Sequence, residues 1–374
     1  MLKQSLFQNL ISAQPNIRFE NAEAQTGFTW GKMVVESNIL KILGAVSEDG
    51  DIDERELHRL GIDENDLVSE LWMASDDREH PSLIESPDGR ILPLHELLLE
   101  SGREILGDKH FEVYGPHMGV LMKLIDTDNA PKRGSLSVQV HAPNNHPGRP
   151  AKPEMWKGRG KIYIGWNRGM TPEMIRQAVA DGKLEEFLNA LEIDPSFLIN
   201  VPGGLVHAIR FGSFLSEWSK TTVQNDAVKG SVKQATVRLY DRTDGKTPRK
   251  GKEDLDAALE VVQFSGRMSR FDPANSPDIA RRKDAPADCF VSLFATEEIV
   301  VDEARIEGTL AASVRHQGYP VYVESGAVDV TCNAAKIDYL ERGEYRIVPH
   351  VLQDVQFHRV SEGPAVLQRW FPPL

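Results

Sequence analysis

From Ser135 onward the chain breaks into short runs of alternating apolar and polar residues, SLSVQVH, GKIYIGW, FLINVPGGLVHAIRF and ATVRLYDR, separated by Gly, Pro and Asn. Side chains alternate faces along a strand, so such runs read as half-buried strands and the residues between them as turns. Residues 265–287 form an irregular stretch rich in Pro, Ser, Asp and Arg, after which the same texture resumes in CFVSLFA, TLAASVRH, YPVYVESGAVDVT, DYLERGEYRIV and AVLQRWF. Many short strands with tight turns predict a compact antiparallel sandwich or barrel. The expected fold class is therefore mainly β with helical insertions (α+β), in two units spanning 1–270 and 271–374.

Helical patterns occupy two places. Residues 28–126 mix them with short apolar runs, as in ELHRLGI and LHELLLE. A helical insert is expected at about 170–195, in MTPEMIRQAVADGKLEEFLNALEI: Thr171 can cap, Pro172 suits the first helical position, and Met174, Ile175, Ala178 and Val179 mark one face. Asp181-Gly182 breaks that helix, and Leu184, Phe187, Leu188 and Leu191 start a second apolar face. The acidic run SEDGDIDERELHRL has the look of a calcium loop, yet counting from Asp49 puts Glu54 where the turn needs glycine and Leu60 where a bidentate glutamate is required. It reads instead as a solvated helix start.

A net charge of −13 over 374 residues argues against a non-specific nucleic-acid binder, which needs a basic face to displace counterions. Cys289 and Cys332 are too few for a disulfide framework or a thiolate cluster and fit a reducing compartment. Polar residues interrupt the N-terminus, and nowhere is there a run of about 18 apolar residues able to span a bilayer. The expected location is cytoplasmic.

In SLSVQVHAP the face carrying Ser137, Gln139 and His141 is wholly polar, while Leu136, Val138 and Val140 line the other. Thirteen residues past His141, AKPEMW offers Glu154 beside Lys152, and His207 follows a Pro-Gly-Gly turn on a strand that can return antiparallel to the first. Two imidazoles, one carboxylate and one amide oxygen suit a borderline divalent ion: zinc first, with iron(II), manganese or cobalt as alternatives. The same donors leave room for water or a substrate oxygen, the mark of a catalytic rather than a structural metal.

SLSVQVHAP, AKPEMW, VPGGLVHAI and VRLYDR, in this order and with a helical insert between the second and third, resemble the type I mannose-6-phosphate isomerases. ELWMASDD and HMGVLMKLIDTDN are similar to the segments leading into that family's metal strand, and the likeness runs from about residue 28 onward. The resemblance implies two cupin-type β-barrel or jelly-roll units, the first holding one catalytic zinc and the second structural. It implies ligation by Gln139, His141, Glu154 and His207. It further implies Lys152 in the pocket, Arg238 over the substrate, Glu217 as an acidic residue after the second histidine, and Ser137 and Lys123 near the substrate phosphate.

The reaction so implied interconverts mannose 6-phosphate and fructose 6-phosphate through a cis-enediol, with a small-molecule sugar phosphate as the partner. Lys152, Glu217 or a hydroxide on the metal are the candidate bases. The chain departs from the family where a histidine usually precedes the KPE lysine, here Ala151. It departs again where an Asn-Ser-Asp run usually begins four residues before the arginine, here Gln234, with Asn225-Asp226 at a different spacing. These changes leave open an isomerase of another or unphosphorylated sugar, and a non-catalytic sugar- or metal-binding cupin. The cluster Arg242, Lys246, Arg249, Lys250 and Lys252 reads as a solvated loop, and His316, His350 and His358 lack the glutamine and carboxylate pattern.

Overall fold

A computed structural model describes residues 8–21, 30–85, 89–129, 135–144, 146–221, 235–240, 252–283, 286–312 and 316–374. Gln234, Asn225-Asp226 and Arg242, Lys246, Arg249 and Lys250 lie outside them. The chain divides into two compact units, one of Met1–Ile17, Leu71–Lys123 and Lys283–Leu374, the other of Arg18–Glu70 and Leu124–Arg282. The expected linear division at 270 differs from this arrangement because sheet pairing recruits strands remote in sequence. Ile11–Gln14 hydrogen-bonds to Tyr345–Val348 on one side and Leu83–Glu85 on the other, so an N-terminal strand lies inside the C-terminal sheet.

That first unit is a β-sandwich. An eight-stranded sheet, running from Phe290–Ala295 to Ile91–Pro93, shares one core with the four-stranded sheet Thr309–Ala312, Val355–Arg359, Ala327–Cys332 and Ala335–Glu341. Val321, Val323 and Leu367 from one sheet meet Val328, Val330 and Phe357 from the other. Alternate residues of each strand face inward, as period two requires.

The second unit is organised around Glu154–Trp166, the longest strand of a twelve-stranded sheet. Its N-terminal half pairs with Phe214–Lys220 and Phe197–Val201, and its C-terminal half with His207–Ile209 and Leu188–Ile193. The strand changes neighbours at Gly160, where φ is +129° and a β-carbon would lie 2.4 Å from the Ser213 α-carbon. Only glycine meets both demands. Val138–His141 lies between His207–Ile209 and Thr236–Tyr240.

The expected helix Pro172–Ala180 is present, with the Thr171 hydroxyl accepting from the Met174 amide at 3.3 Å. Ile175, Ala178 and Val179 are buried as read, but Met174 is exposed. The second half of the insert is not helical: Leu184–Phe187 makes one 3-10 turn and Leu188–Ile193 is a strand. The i, i+4, i+7 spacing of Leu184, Leu188 and Leu191 fits the helical period, and pairing with the long strand overrides it. The solvated helix start read in SEDGDIDERELHRL is present, with the Asp53 carboxylate accepting from the Arg55 and Glu56 amides at the head of Glu54–Leu60. Among the described residues no helix is long and apolar enough to cross a membrane.

Candidate metal centre

The apolar face of Val138–His141 packs against helices. Val138 and Val140 join Val206, Ala208, Val237 and Leu239 in a cluster closed by Ile175, Ala178 and Val179 of one helix and Leu255, Ala258 and Leu259 of Lys252–Val261. Burying each aliphatic side chain stabilises the fold by about 1.5–3 kcal/mol, so the register of this strand is firmly set. Ser137, Gln139 and His141 are thereby turned to the opposite face.

Two backbone features bring His207 to His141. His207 pairs directly with Gln139 across an antiparallel ladder. The Pro202-Gly203-Gly204 turn that delivers His207 is tied to the first strand by Gly204 N–H donating to the His141 carbonyl at 2.8 Å. Gly203 allows that approach, since a β-carbon there would sit 2.4 Å from the Pro143 α-carbon. Glu154, first residue of the long strand, comes from the half that pairs with Phe214–Lys220.

The result is a buried trio in which one donor atom each of His141, Glu154 and His207 lies within 4.8 Å of the others. The two imidazole Nε2 atoms face each other at 3.2 Å. Glu154 Oε1 is 2.8 Å from His141 Nε2, and its Oε2 is 3.7 Å from His207 Nε2. His207 Nδ1–H donates to the Leu205 carbonyl at 2.8 Å, which leaves an Nε2 lone pair directed at the trio. His141 Nδ1 lies 3.2 Å from the Thr236 hydroxyl, which can donate or accept and so accommodates either tautomer.

Charge follows the same geometry. Burial pushes His141 down to about 3 and lowers His207, with Glu154 opposing in both cases, so the imidazoles are neutral as ligation requires. For Glu154 burial acts to raise the pKa, but His141, the Lys152 ammonium and His207 together hold it well below the ordinary carboxylate range. Lys152 Nζ is 2.5 Å from Glu154 Oε1 and 3.9 Å from Glu217 Oε1. Two convergent nitrogen lone pairs and a carboxylate, all out of water, can hold a divalent cation. Among the described residues no other group of three such side chains converges.

The remaining expected residues have distinct partners. Gln139 presents its amide nitrogen, not its oxygen, to His207 Nε2 at 3.3 Å, while its oxygen lies 3.5 Å from the Ser137 hydroxyl. Arg238, cross-strand from Gln139, donates through Nε to Ser137 Oγ at 3.1 Å. Glu217 is buried beside Lys152, and Lys123 holds its ammonium 4.7 Å from the Trp72 ring centroid. Two supporting residues escaped the sequence reading. Thr236 faces His141, and Trp156 donates its indole N–H to Glu154 Oε2 at 3.2 Å. The position of Trp156, two residues along the same strand from Glu154, was the available signal.

A pair of β units, one with a buried His-Glu-His trio able to hold a metal ion, fits the cupin kind of fold. No family model matches the chain. A mannose-6-phosphate isomerase of Streptococcus mutans is 24% identical over 311 residues, covering 78% of this chain and 86% of that protein. The mannose 6-phosphate isomerase structure from Bacillus subtilis has the same fold, with a TM-score of 0.65 and 18% identity over 97% of this chain and 99% of that one. A mannose 6-phosphate isomerase structure bound with zinc and yttrium aligns with a TM-score of 0.65 and 12% identity, over 98% of this chain and 100% of that one. In sequence the chain is thus a relative of the mannose-6-phosphate isomerases, the family its motifs resemble, and it has their fold.

Proposed function

We propose that the protein is a metal-dependent aldose–ketose isomerase that interconverts mannose 6-phosphate and fructose 6-phosphate through a cis-enediol. The observation that carries this reading is the convergence of His141, His207 and Glu154 with the Lys152 ammonium 2.5 Å from the carboxylate. These three side chains hold the ion, and Gln139 becomes a fourth ligand once its amide turns over to present oxygen. With nitrogen and oxygen donors and no thiolate, zinc is the favoured occupant. Bound there, the cation supplies Lewis-acid stabilisation of negative charge developing on the sugar oxygens.

The chain's own side chains move the protons. A base removes the proton from C2 of the open-chain aldose while the carbonyl oxygen at C1 gains one, giving the cis-enediol. Loss of the O2 proton and delivery of a proton to C1 then complete the ketose. Lys152 and Glu217, with polar atoms 3.9 Å apart, form the acid–base pair for these transfers and contribute about 10²- to 10⁴-fold. Arg238, held by Ser137, supplies fixed positive charge beside the enediol. Ser137, which holds Arg238, also lies toward the substrate phosphate. In this reading the substrate is a small soluble metabolite of the cytoplasm, with neither nucleic acid nor a membrane surface as partner.

The test is metal analysis of the purified protein followed by incubation with mannose 6-phosphate and measurement of fructose 6-phosphate. Stoichiometric metal with turnover is expected. Turnover on free mannose alone would move the proposal to another sugar, and metal with no turnover on any hexose would contradict it.

A further inference from the structure

We infer that Trp156 is a positioning residue for the metal, one that fixes Glu154 and His207 together; this rests on the metal-binding role proposed for the trio. Glu154 and Trp156 lie two apart on one strand, so their side chains share a face. The indole N–H donates to Glu154 Oε2 at 3.2 Å. That oxygen is the one nearer His207, whereas Oε1 faces His141 at 2.8 Å and Lys152 at 2.5 Å. The same indole ring meets the His207 ring edge-on, with centroids 5.4 Å apart and planes at 76°.

Trp156 is fully buried, so neither contact competes with water. Lys152 and Trp156 differ in kind as partners of the carboxylate. The lysine side chain is flexible and charged, and is 17% exposed; the indole is rigid, neutral and locked by packing. A neutral donor fixes the carboxylate's rotation without cancelling the charge that attracts the cation. Outer partners of this sort typically contribute about 10- to 100-fold in metal affinity.

The experiment is a chelator-competition measurement of zinc and cobalt(II) affinity on the stripped full-length protein, well below its unfolding temperature, comparing wild type with Trp156→Phe. Phenylalanine keeps an aromatic ring and removes the N–H. The expected result is binding weakened by about 10- to 100-fold, with a displaced cobalt(II) absorption band. A folded Trp156→Phe protein with unchanged affinity and spectrum would overturn the inference while leaving the metal site intact. A wild-type protein that binds neither ion would overturn the metal reading and the inference with it. Should phenylalanine prevent folding, 3-benzothienylalanine placed at this position keeps the indole shape without the N–H, and the same two outcomes decide.

Discussion

Two histidines from each unit show opposite uses of the imidazole. In the sandwich unit His358 sits between two threonines, with Nδ1 2.9 Å from the Thr309 hydroxyl and Nε2 2.9 Å from the Thr331 hydroxyl. His110, in the same unit, places its two nitrogens 2.7 Å from Gln317 Oε1 and 2.6 Å from the His117 carbonyl. Each ring has both nitrogens engaged by its own local partners. In the other unit, His141 and His207 each give one nitrogen to a supporting group and turn the second toward the other ring and a buried carboxylate. What separates a structural imidazole from a ligand is thus the convergence of the lone pairs left over.

The sharpest way to break this contrast is to remove one converging ring. His207→Ala should abolish stoichiometric metal, measured by elemental analysis, and lower turnover by about 10³-fold or more. Retained metal would place the ion elsewhere. Lys152→Ala separates holding from chemistry: metal content should persist while kcat falls about 10²- to 10⁴-fold. Loss of the metal instead would make the lysine part of the binding site.

A pH series sharpens the contrast on the stripped protein. Burial holds His141 at about 3 and lowers His207 from an ordinary value of 6.5. As pH falls from 6.5 toward 3, the unfolded chain takes up protons that the folded chain refuses, so stability is present above this window and lost on descending through it. The slope should reach about 1.4 kcal/mol per pH unit from His141, with a further contribution of the same sign from His207. Urea midpoints should record it, and His141→Ala should remove the share that belongs to His141. The smallest effect belongs to the sandwich unit, where His358→Ala should cost about 1–2 kcal/mol of stability through its two hydroxyl partners. Metal content and kcat should stay unchanged; a change in either would erase the distinction between the units.

Much of this arrangement can be read along the chain because it depends on local period. The polar face of Ser137, Gln139 and His141 is a direct consequence of alternation, as is the burial of Val138 and Val140 on the other side. The Pro-Gly-Gly turn before His207 announces a tight reversal. What local pattern cannot carry is pairing between distant segments. Thr236 meets His141 only because its strand lies in that register, 95 residues away. The N-terminal strand Ile11–Gln14 completes a sheet whose other members lie far along the chain. Leu188–Ile193 has leucines spaced for a helix and becomes a strand because the long central strand offers its edge.

The orientation of Gln139 was likewise beyond the sequence, since an amide can present either end. Facing the His207 lone pair it offers nitrogen. A cation at the trio would favour the reverse.

The central claim, that His141, His207 and Glu154 grip one divalent ion, is most directly tested by anomalous X-ray diffraction from zinc-loaded crystals, with data on either side of the zinc edge. The account predicts a single strong peak per chain, about 2.0–2.2 Å from both Nε2 atoms and a Glu154 oxygen. A peak elsewhere, or none under saturating zinc, would contradict it.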